Sequence, residues 1–326
     1  MTGRVVRVVA PSRLHFGMLS VNQPGMRHYG GVGAMVDAPG LEIVIRAAPR
    51  LETAGPLADR ARQAALLAAR SLPAGGESDG PPCRIEVIRA PPLHVGLGTG
   101  TQLAMAVAAG LNALWEGPPM DAAGLARCVG RGHRSAIGLH GFVFGGLLYE
   151  SGKAGHEKVA PLVDRVDIPP AWRFVLVRPR DERGLFDEAE RDAFADLPPV
   201  PVERTEMLRQ EATGHLLPAA RQGRFAEFSE SLYRFGYAAG LSFAARQGGA
   251  FAGPRLTALV DWIRARGVPG VGQSSWGPTL FAVLPDEPAA ADLAQRLGTR
   301  PDAGDLELTI ASPDNHGARI ESRADA

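Results

Sequence analysis

His94-Val95-Gly96-Leu97-Gly98-Thr99-Gly100-Thr101 is a glycine-rich run placed between a β-like segment and a strongly apolar one. Closely spaced glycines let successive backbone N–H groups converge, and a following helix adds its positive N-terminal end. Together these make a phosphate cradle. Thr99 and Thr101 supply hydroxyls suited to capping the helix or touching phosphate or a metal ion. Spacing excludes two common phosphate motifs. Walker A needs Gly-Lys, and no lysine stands nearby. The dinucleotide fingerprint, started at Gly96 or Gly98, ends on Thr101 or Leu103 instead of glycine. A tight strand-to-helix turn without a ligand is the plain alternative.

Three further clusters carry polar chemistry. Arg131-Gly132-His133-Arg134-Ser135-Ala136-Ile137-Gly138 gathers three potential cations and a serine on a glycine-punctuated turn. Arginine forks suit bidentate contact with phosphate or carboxylate, although basic residues also satisfy the last carbonyls of a preceding helix. Arg13 and His15 stand two apart on a strand-like segment and so share a side. Arg27 and His28 lie in the next loop, before Gly30-Gly31. Either histidine can act as acid or base near neutral pH, or be a satisfied structural residue. Gly272-Gln273-Ser274-Ser275-Trp276-Gly277-Pro278 is a polar loop ahead of an apolar strand, a common setting for a site. No serine has the G-x-S-x-G frame of a hydrolase. The charge-rich stretch from Asp181 to Asp192 reads as an exposed helix or flap.

The elements that must position these groups follow from periodicity. A strand runs from Val5 towards Phe16, a second over Leu41–Ile45 and a third from Cys83 to Val87. An Ala/Leu-rich helix over 56–71 precedes the polar run LPAGGESDGPP. The segment after Thr101 is apolar on every face, so as a helix it must be buried. A short helix over 122–131, a glycine turn and a strand over 142–149 close the first half. The second half starts with a strand over 174–177 and continues with helices over 203–216, 225–247 and 254–266. A strand over 279–284, a helix over 289–297 and a strand over 306–310 complete it. This order predicts an α+β fold with mixed sheets, divided into residues 1–165 and 166–326.

Composition narrows the partners. The 326 residues hold 35 Lys+Arg and 35 Asp+Glu, so no basic field draws the chain to nucleic acid or an anionic membrane. Lys153 and Lys158 are the only lysines, so anions must be held by guanidinium forks and backbone amides. Cys83 and Cys128 give neither a disulfide framework nor a CxxC pair. The apolar run from Leu103 to Trp115 is too short to span a bilayer, and the N-terminal residues lack a signal-peptide core. A cytoplasmic protein is expected.

Pro91-Pro92-Leu93-His94-Val95-Gly96-Leu97-Gly98-Thr99-Gly100-Thr101 resembles the phosphate loop of the GHMP kinase superfamily, with Gly100 in place of one small hydroxyl residue. Closer still is the resemblance to its β-ribofuranosylaminobenzene 5′-phosphate synthase branch. It is carried by Pro11-Ser12-Arg13-Leu14-His15-Phe16-Gly17, Gly30-Gly31-Val32-Gly33, the phosphate loop with Gln102, the 131–138 block, Phe142 with Gly145-Gly146, Gly272 to Thr279, and Asn315-x-Gly317-Ala318. These blocks run in order along nearly the whole chain.

The resemblance implies a GHMP-type fold with a ribosomal-S5-like N-terminal half and a ferredoxin-like C-terminal half. It implies an enzyme that condenses 5-phosphoribosyl 1-diphosphate with 4-aminobenzoate or 4-hydroxybenzoate, releasing diphosphate and CO2 in tetrahydromethanopterin synthesis. Mg²⁺ and a homodimer are expected, with no organic cofactor. The kinases of the superfamily often carry an acidic catalytic residue in the block where residues 135–141 have neither Asp nor Glu. A GHMP-family ATP-dependent small-molecule kinase is therefore the alternative rather than the first reading. Within the resemblance, the catalytic candidates are His15, His28, Arg134 and Ser135. His15 or His28 would take a proton from the ring substituent. The 96–102 loop, with Gly96, Gly98, Thr99, Gly100, Thr101 and Gln102, would bind diphosphate, and His94 and Arg27 would assist. Arg13, Arg131 and Arg134 would hold the 5-phosphate or the carboxylate. Gln273, Ser274, Ser275 and Trp276 are expected at the aryl or ribose pocket, and Asp37 is the acidic candidate for metal.

Overall fold

The computed structural model describes residues 3–72, 81–185 and 187–324. The first half contributes strands β1 (Arg4–Ser20), β2 (Tyr29–Ala47), β3 (Glu52–Ala54), β4 (Cys83–Arg89), β5 (Leu147–Glu150) and β6 (Leu162–Val166). Strands β7 (Arg173–Pro179), β8 (Val271–Gln273), β9 (Leu280–Leu284) and β10 (Leu306–Ala311) form a second sheet in the order β10-β7-β9-β8. The last strand, β11 (Arg319–Ala324), returns to pair with β1 and makes the first sheet seven-stranded. The expected division between residues 165 and 166 thus falls inside β6, and the chain crosses back to its first sheet at the end.

Helices α1 (Ala58–Ala69), α2 (Thr99–Leu114), α3 (Ala122–Cys128) and α4 (Ile137–Phe144) belong to the first half. The second half carries α5 (Asp187–Ala195), α6 (Val202–Glu211), α7 (Leu217–Arg221), α8 (Phe225–Leu241), α9 (Ala244–Gln247), α10 (Gly253–Arg264) and α11 (Glu287–Gly298). A π-helical turn, Ala212–Leu216, joins α6 to α7. The α+β architecture agrees with the periodicity of the sequence.

The reasons are local. Valines and isoleucines of β1 and β2 pair in antiparallel register, Val6 with Ile45 and Val8 with Ile43, and all four are buried. Helix α2 is buried on nearly every face, from Leu103 through Leu111, as its uniformly apolar sequence requires. A second core joins the halves: Leu14 and Phe16 of β1 pack with Phe174, Phe228 and Phe281, and the Phe16 and Phe281 rings lie 4.9 Å apart. That shared core holds the Arg13–His15 segment against the loop between β8 and β9. The β1–β2 register shifts between His15 and Gly17, an irregularity of the kind that re-aims side chains next to sites.

Two expectations change. The apolar run over 142–149 is not one strand: residues up to Phe144 belong to α4, and β5 starts at Leu147. Gly145 and Gly146, both at positive φ, break the run, and periodicity alone cannot tell a short buried helix from a strand. Strands β6 and β11 were not anticipated. Residues 73–80 of the expected Gly/Pro loop lie outside the described residues.

Candidate active site

The phosphate-loop motif is a turn clamped by the C-terminal half. Gly98 is the N-cap of α2 at φ 71°, and the Thr101 and Gln102 N–H groups donate to its carbonyl. The Thr99 and Gly100 N–H groups meet no acceptor among the described residues, so they stand at the positive end of a buried helix. Ser274 Oγ donates to the Gly96 carbonyl at 2.6 Å, and Thr279 Oγ1 donates to the Val95 carbonyl at 2.6 Å. At Gly96, φ is 88° and a side-chain Cβ would stand 2.5 Å from the Ser274 carbonyl oxygen, so glycine is required by both conformation and space.

Arg13 links the two loops. Its Nη1 donates to Ser275 Oγ at 2.6 Å and reaches the Gly96 carbonyl at 3.5 Å, while its backbone N–H donates to the Leu97 carbonyl. Burial pulls the guanidinium down to about 10, opposed by the charges of Glu190 and Glu150, so it stays cationic at neutral pH. Arg131 reaches the Gly100 carbonyl at 3.4 Å, at the edge of the same turn.

His15 has its backbone N–H on Ser274 Oγ at 2.9 Å and its Nε2 3.0 Å from Ser135 Oγ. Burial and the neighbouring Arg13 charge pull the imidazole down to about 3, so it is neutral at working pH. Behind Ser135 lies Glu150 at the end of β5, wholly buried, with Oε2 accepting from the Ala136 N–H at 2.7 Å. Burial pushes this carboxyl up to about 7, against the lowering effect of hydrogen bonds from Ser135 and Ala136 and the charges of Arg13 and Lys153.

Beside this group opens a pocket, partly continuous with solvent, on which His15, Glu190, Phe194, Phe243, Gln273 and Trp276 border. Three of these rings box it: Phe194 and Phe243 lie 5.4 and 4.9 Å from Trp276, in edge-to-face arrangements. Arg134 pairs with Glu190 of α5 and lies over the Phe194 ring, 4.7 Å from its centroid. The site therefore sets an anion seat and an aromatic-walled pocket side by side where the halves meet, joined at Ser275, with a neutral imidazole on the pocket wall.

Of the residues singled out by the sequence, Arg13, the 96–98 turn, Arg134, Ser135 and residues 273–276 lie near one another. Others stand elsewhere or have other partners. Arg27 donates to the Gly152 carbonyl and pairs with Glu157, and His28 bridges to Lys153 through its backbone; neither borders the pocket. Thr99 gives its hydroxyl to the Pro92 carbonyl rather than capping α2 or facing a ligand. Gln102 is buried and braces α2 against α4 through the Gly138 carbonyl. Gln273 borders the pocket, but its amide holds the Ala252 N–H and the Ser275 carbonyl. His94 stands in the turn at φ 62°, its carbonyl accepting from Gly184. Asp37 spends its carboxylate on the Ser312 N–H. Among the described residues, no three His, Cys, Asp or Glu side chains cluster as a metal cage.

The sequence reading missed Glu150, Glu190, Phe194 and Phe243. A signal existed for two of them: Glu190 and Phe194 are four apart, one helical face inside the charge-rich stretch. Residues 135–141 do lack a carboxylate, but Glu150 reaches the Ala136 N–H from the next strand, a proximity only the fold creates.

Comparison with known proteins extends this geometry. The model of the GHMP kinases N-terminal domain matches residues 59–146, and that of the GHMP kinases C-terminal domain matches residues 216–302. The chain is 29% identical over 308 residues to a β-ribofuranosylphenol 5′-phosphate synthase of Methanothermobacter thermautotrophicus, covering 88% of this chain and 92% of that one. It is 28% identical to the synthase of the same name from Archaeoglobus fulgidus, over 97% of this chain and all of that one. In fold it is similar to homoserine kinase from Cytophaga hutchinsonii, with a TM-score of 0.68 at 17% identity over 97% of both chains. Mevalonate-3-kinase from Thermoplasma acidophilum gives a TM-score of 0.66 at 12% identity over 98% of this chain and 99% of that one.

Proposed function

Because the chain belongs to the GHMP kinase superfamily, matching both of its domain models, we propose that it is a decarboxylating phosphoribosyltransferase. It condenses 5-phosphoribosyl 1-diphosphate with 4-hydroxybenzoate or 4-aminobenzoate to a C-riboside 5′-phosphate, CO2 and diphosphate. The observation that carries this reading is the shared wall between anion seat and aromatic box: Arg13 and Ser275 belong to one, Trp276 to the other. The name of the archaeal relatives makes 4-hydroxybenzoate the first acceptor to test.

The chemistry follows from the residues. The α2 N-terminus and Arg13 hold the anionic groups of the sugar. The acceptor ring lies among Phe194, Phe243 and Trp276, with its carboxylate towards Arg134. His15 takes the ring-hydroxyl proton, which pushes electron density to the carbon bearing the carboxylate. That carbon bonds to C1 of the ribose as the C1–O bond to diphosphate breaks. The dearomatised adduct then loses CO2, its C–C electrons restore the ring, and the proton returns from His15 to the ring oxygen. The adduct is its own electron sink, so no lysine Schiff base is needed.

Magnesium enters the same reading as a companion of diphosphate. Mg²⁺ takes few protein ligands and keeps substrate phosphates and water. Glu190 is the acidic side chain on the pocket wall, and to hold an ion carried in that way it would exchange its pairing with Arg134; Asp37 stands away from the pocket, its Oδ1 on the Ser312 N–H. When bound, the ion neutralises charge on the leaving diphosphate. A homodimer belongs to the same proposal, and sedimentation as a monomer would remove it. The function itself is tested by carboxyl-labelled 4-hydroxybenzoate. Labelled CO2 is expected only when 5-phosphoribosyl 1-diphosphate is present, and an intact benzoate after incubation with folded protein overturns the reading.

A further inference from the structure

One wall of the aromatic pocket is helix α8. Gly236, Ala239 and Gly240 border the pocket with the i, i+3, i+4 spacing of a single helical face, and Phe243 follows just beyond the helix end. Glycine is a poor residue for a helix interior, because it gives up more backbone freedom on folding than alanine does and shields the backbone less. A glycine inside a helix therefore calls for a reason in packing or in function.

Packing supplies that reason at the other glycines of this wall. A Cβ on Gly240 would stand 2.1 Å from the Ala250 carbonyl oxygen. One on Gly17, which meets α8 from the end of β1, would stand 2.3 Å from the Ala239 Cβ. Neither position has space for a methyl group.

Gly236 is different. It lies well inside α8 and is helical in backbone. Outside that helix, the only described heavy atom within 4 Å of an added Cβ is the Phe16 carbonyl oxygen at 3.5 Å, an ordinary contact. Phe16 itself borders the pocket, as Gly236 does. The fold thus has room for alanine at this position, and the room belongs to the pocket. Phe194, Phe243 and Trp276 around it make that space suited to a flat apolar body.

We propose that Gly236 is a specificity-determining position of this pocket: its missing side chain is the space that seats the edge of an aromatic ligand's ring against the bare backbone of α8. The proposal rests on the phosphoribosyltransferase reading for the ligand's identity, a hydroxybenzoate, but not for the presence of a ring. A methyl group at 236 takes volume from the ring's seat and leaves the anion seat as it is. Arg13, the 96–98 turn and Ser275 build the anion seat, and none of them comes within 4 Å of that methyl.

Gly236→Ala in the full chain separates a glycine kept for a ligand from one kept for the fold, because the two predict opposite signs. A glycine that packing requires loses stability on substitution. Here the variant should melt about 1–2 °C above the wild type, through its better helix propensity. Binding is followed by ligand-observed NMR with diphosphate present to fill the anion seat. The affinity for 4-hydroxybenzoate should fall about 5- to 50-fold, and that for phenol, the ring without its carboxylate, by a similar factor. Diphosphate alone should bind both proteins within about 2-fold.

A variant that melts below the wild type shows that the fold needs this glycine, and overturns the proposal. So does a variant that binds both rings as the wild type does, or one that loses diphosphate by the same factor as the rings. Should the rings bind and weaken as expected while neither protein makes an aryl riboside, the ring seat stands and the phosphoribosyltransferase reading fails. A wild type that binds neither ring overturns both.

Discussion

Phe243 and Glu150 each set a measurable property of the site. Phe243 meets Trp276 edge-on at the wall of the aromatic box. Phe243→Leu keeps most of the side-chain volume and removes an aromatic contact worth about 0.5–1.5 kcal/mol. The KM for 4-hydroxybenzoate should rise about 3- to 10-fold while that for 5-phosphoribosyl 1-diphosphate stays unchanged. Steady-state kinetics with each substrate varied checks this, and a rise confined to the sugar would place the ring elsewhere. Glu150 gives a stability prediction of unusual sign. Its folded value of about 7 lies above the ordinary 4.5, so the fold favours the protonated form. Stability from this group is therefore full below about pH 4.5 and lost as pH rises through about 7, by about 3 kcal/mol. His15, held low, acts oppositely and costs stability as pH falls below about 6.5. Denaturant unfolding of Glu150→Gln against the wild type isolates the carboxyl: the variant should gain relative stability between pH 5 and pH 8. A constant difference would contradict the burial described for it.

At the scale of elements, the site depends on two loops from opposite halves fitting without space to spare. Gly96→Ala tests that fit, because a Cβ there would meet the Ser274 carbonyl at a φ that alanine resists. A loss of about 1–3 kcal/mol of stability is expected, together with weakened sugar binding. Thermal unfolding and the KM for 5-phosphoribosyl 1-diphosphate measure both, and an unperturbed variant would mean that the loops are not clamped. The glycine loop, the buried α2 and the polar run at 272–278 were readable in the sequence, since closely spaced glycines mark a tight turn and uniform apolarity marks a buried helix. Helix α4 and strand β5 were not, because a short apolar run interrupted by Gly145-Gly146 carries no decisive period. Helix α5 was half readable: its charge density suggested a flap, whereas Glu190 and Phe194, one turn apart, face Arg134 and Trp276.

At the scale of the molecule, 35 acidic and 35 basic charges cancel, yet arginines gather where the halves meet. Arg13 and Arg134 enter the cleft from β1 and from the turn before α4, while the acids that meet them, Glu150 and Glu190, come from β5 and α5. The first pair is marked by motif, because Arg13 and Arg134 stand among glycines and hydroxyls. The second pair was invisible because partnership across 56 to 177 residues of chain is created by the shared core, not by spacing. The same limit applies to Arg27, His28 and Asp37, whose types suit the chemistry but which meet other partners: Arg27 holds Gly152 and Glu157, His28 bridges to Lys153 through its backbone, and Asp37 accepts from the Ser312 N–H. A single reaction at this site has a stoichiometry that can be counted. With 5-phosphoribosyl 1-diphosphate, 4-hydroxybenzoate and Mg²⁺, one CO2 and one diphosphate are expected for each riboside bearing a C1–aryl carbon bond, with added ATP unconsumed. Folded protein that yields no C-riboside, or that converts ATP to ADP instead, would contradict it.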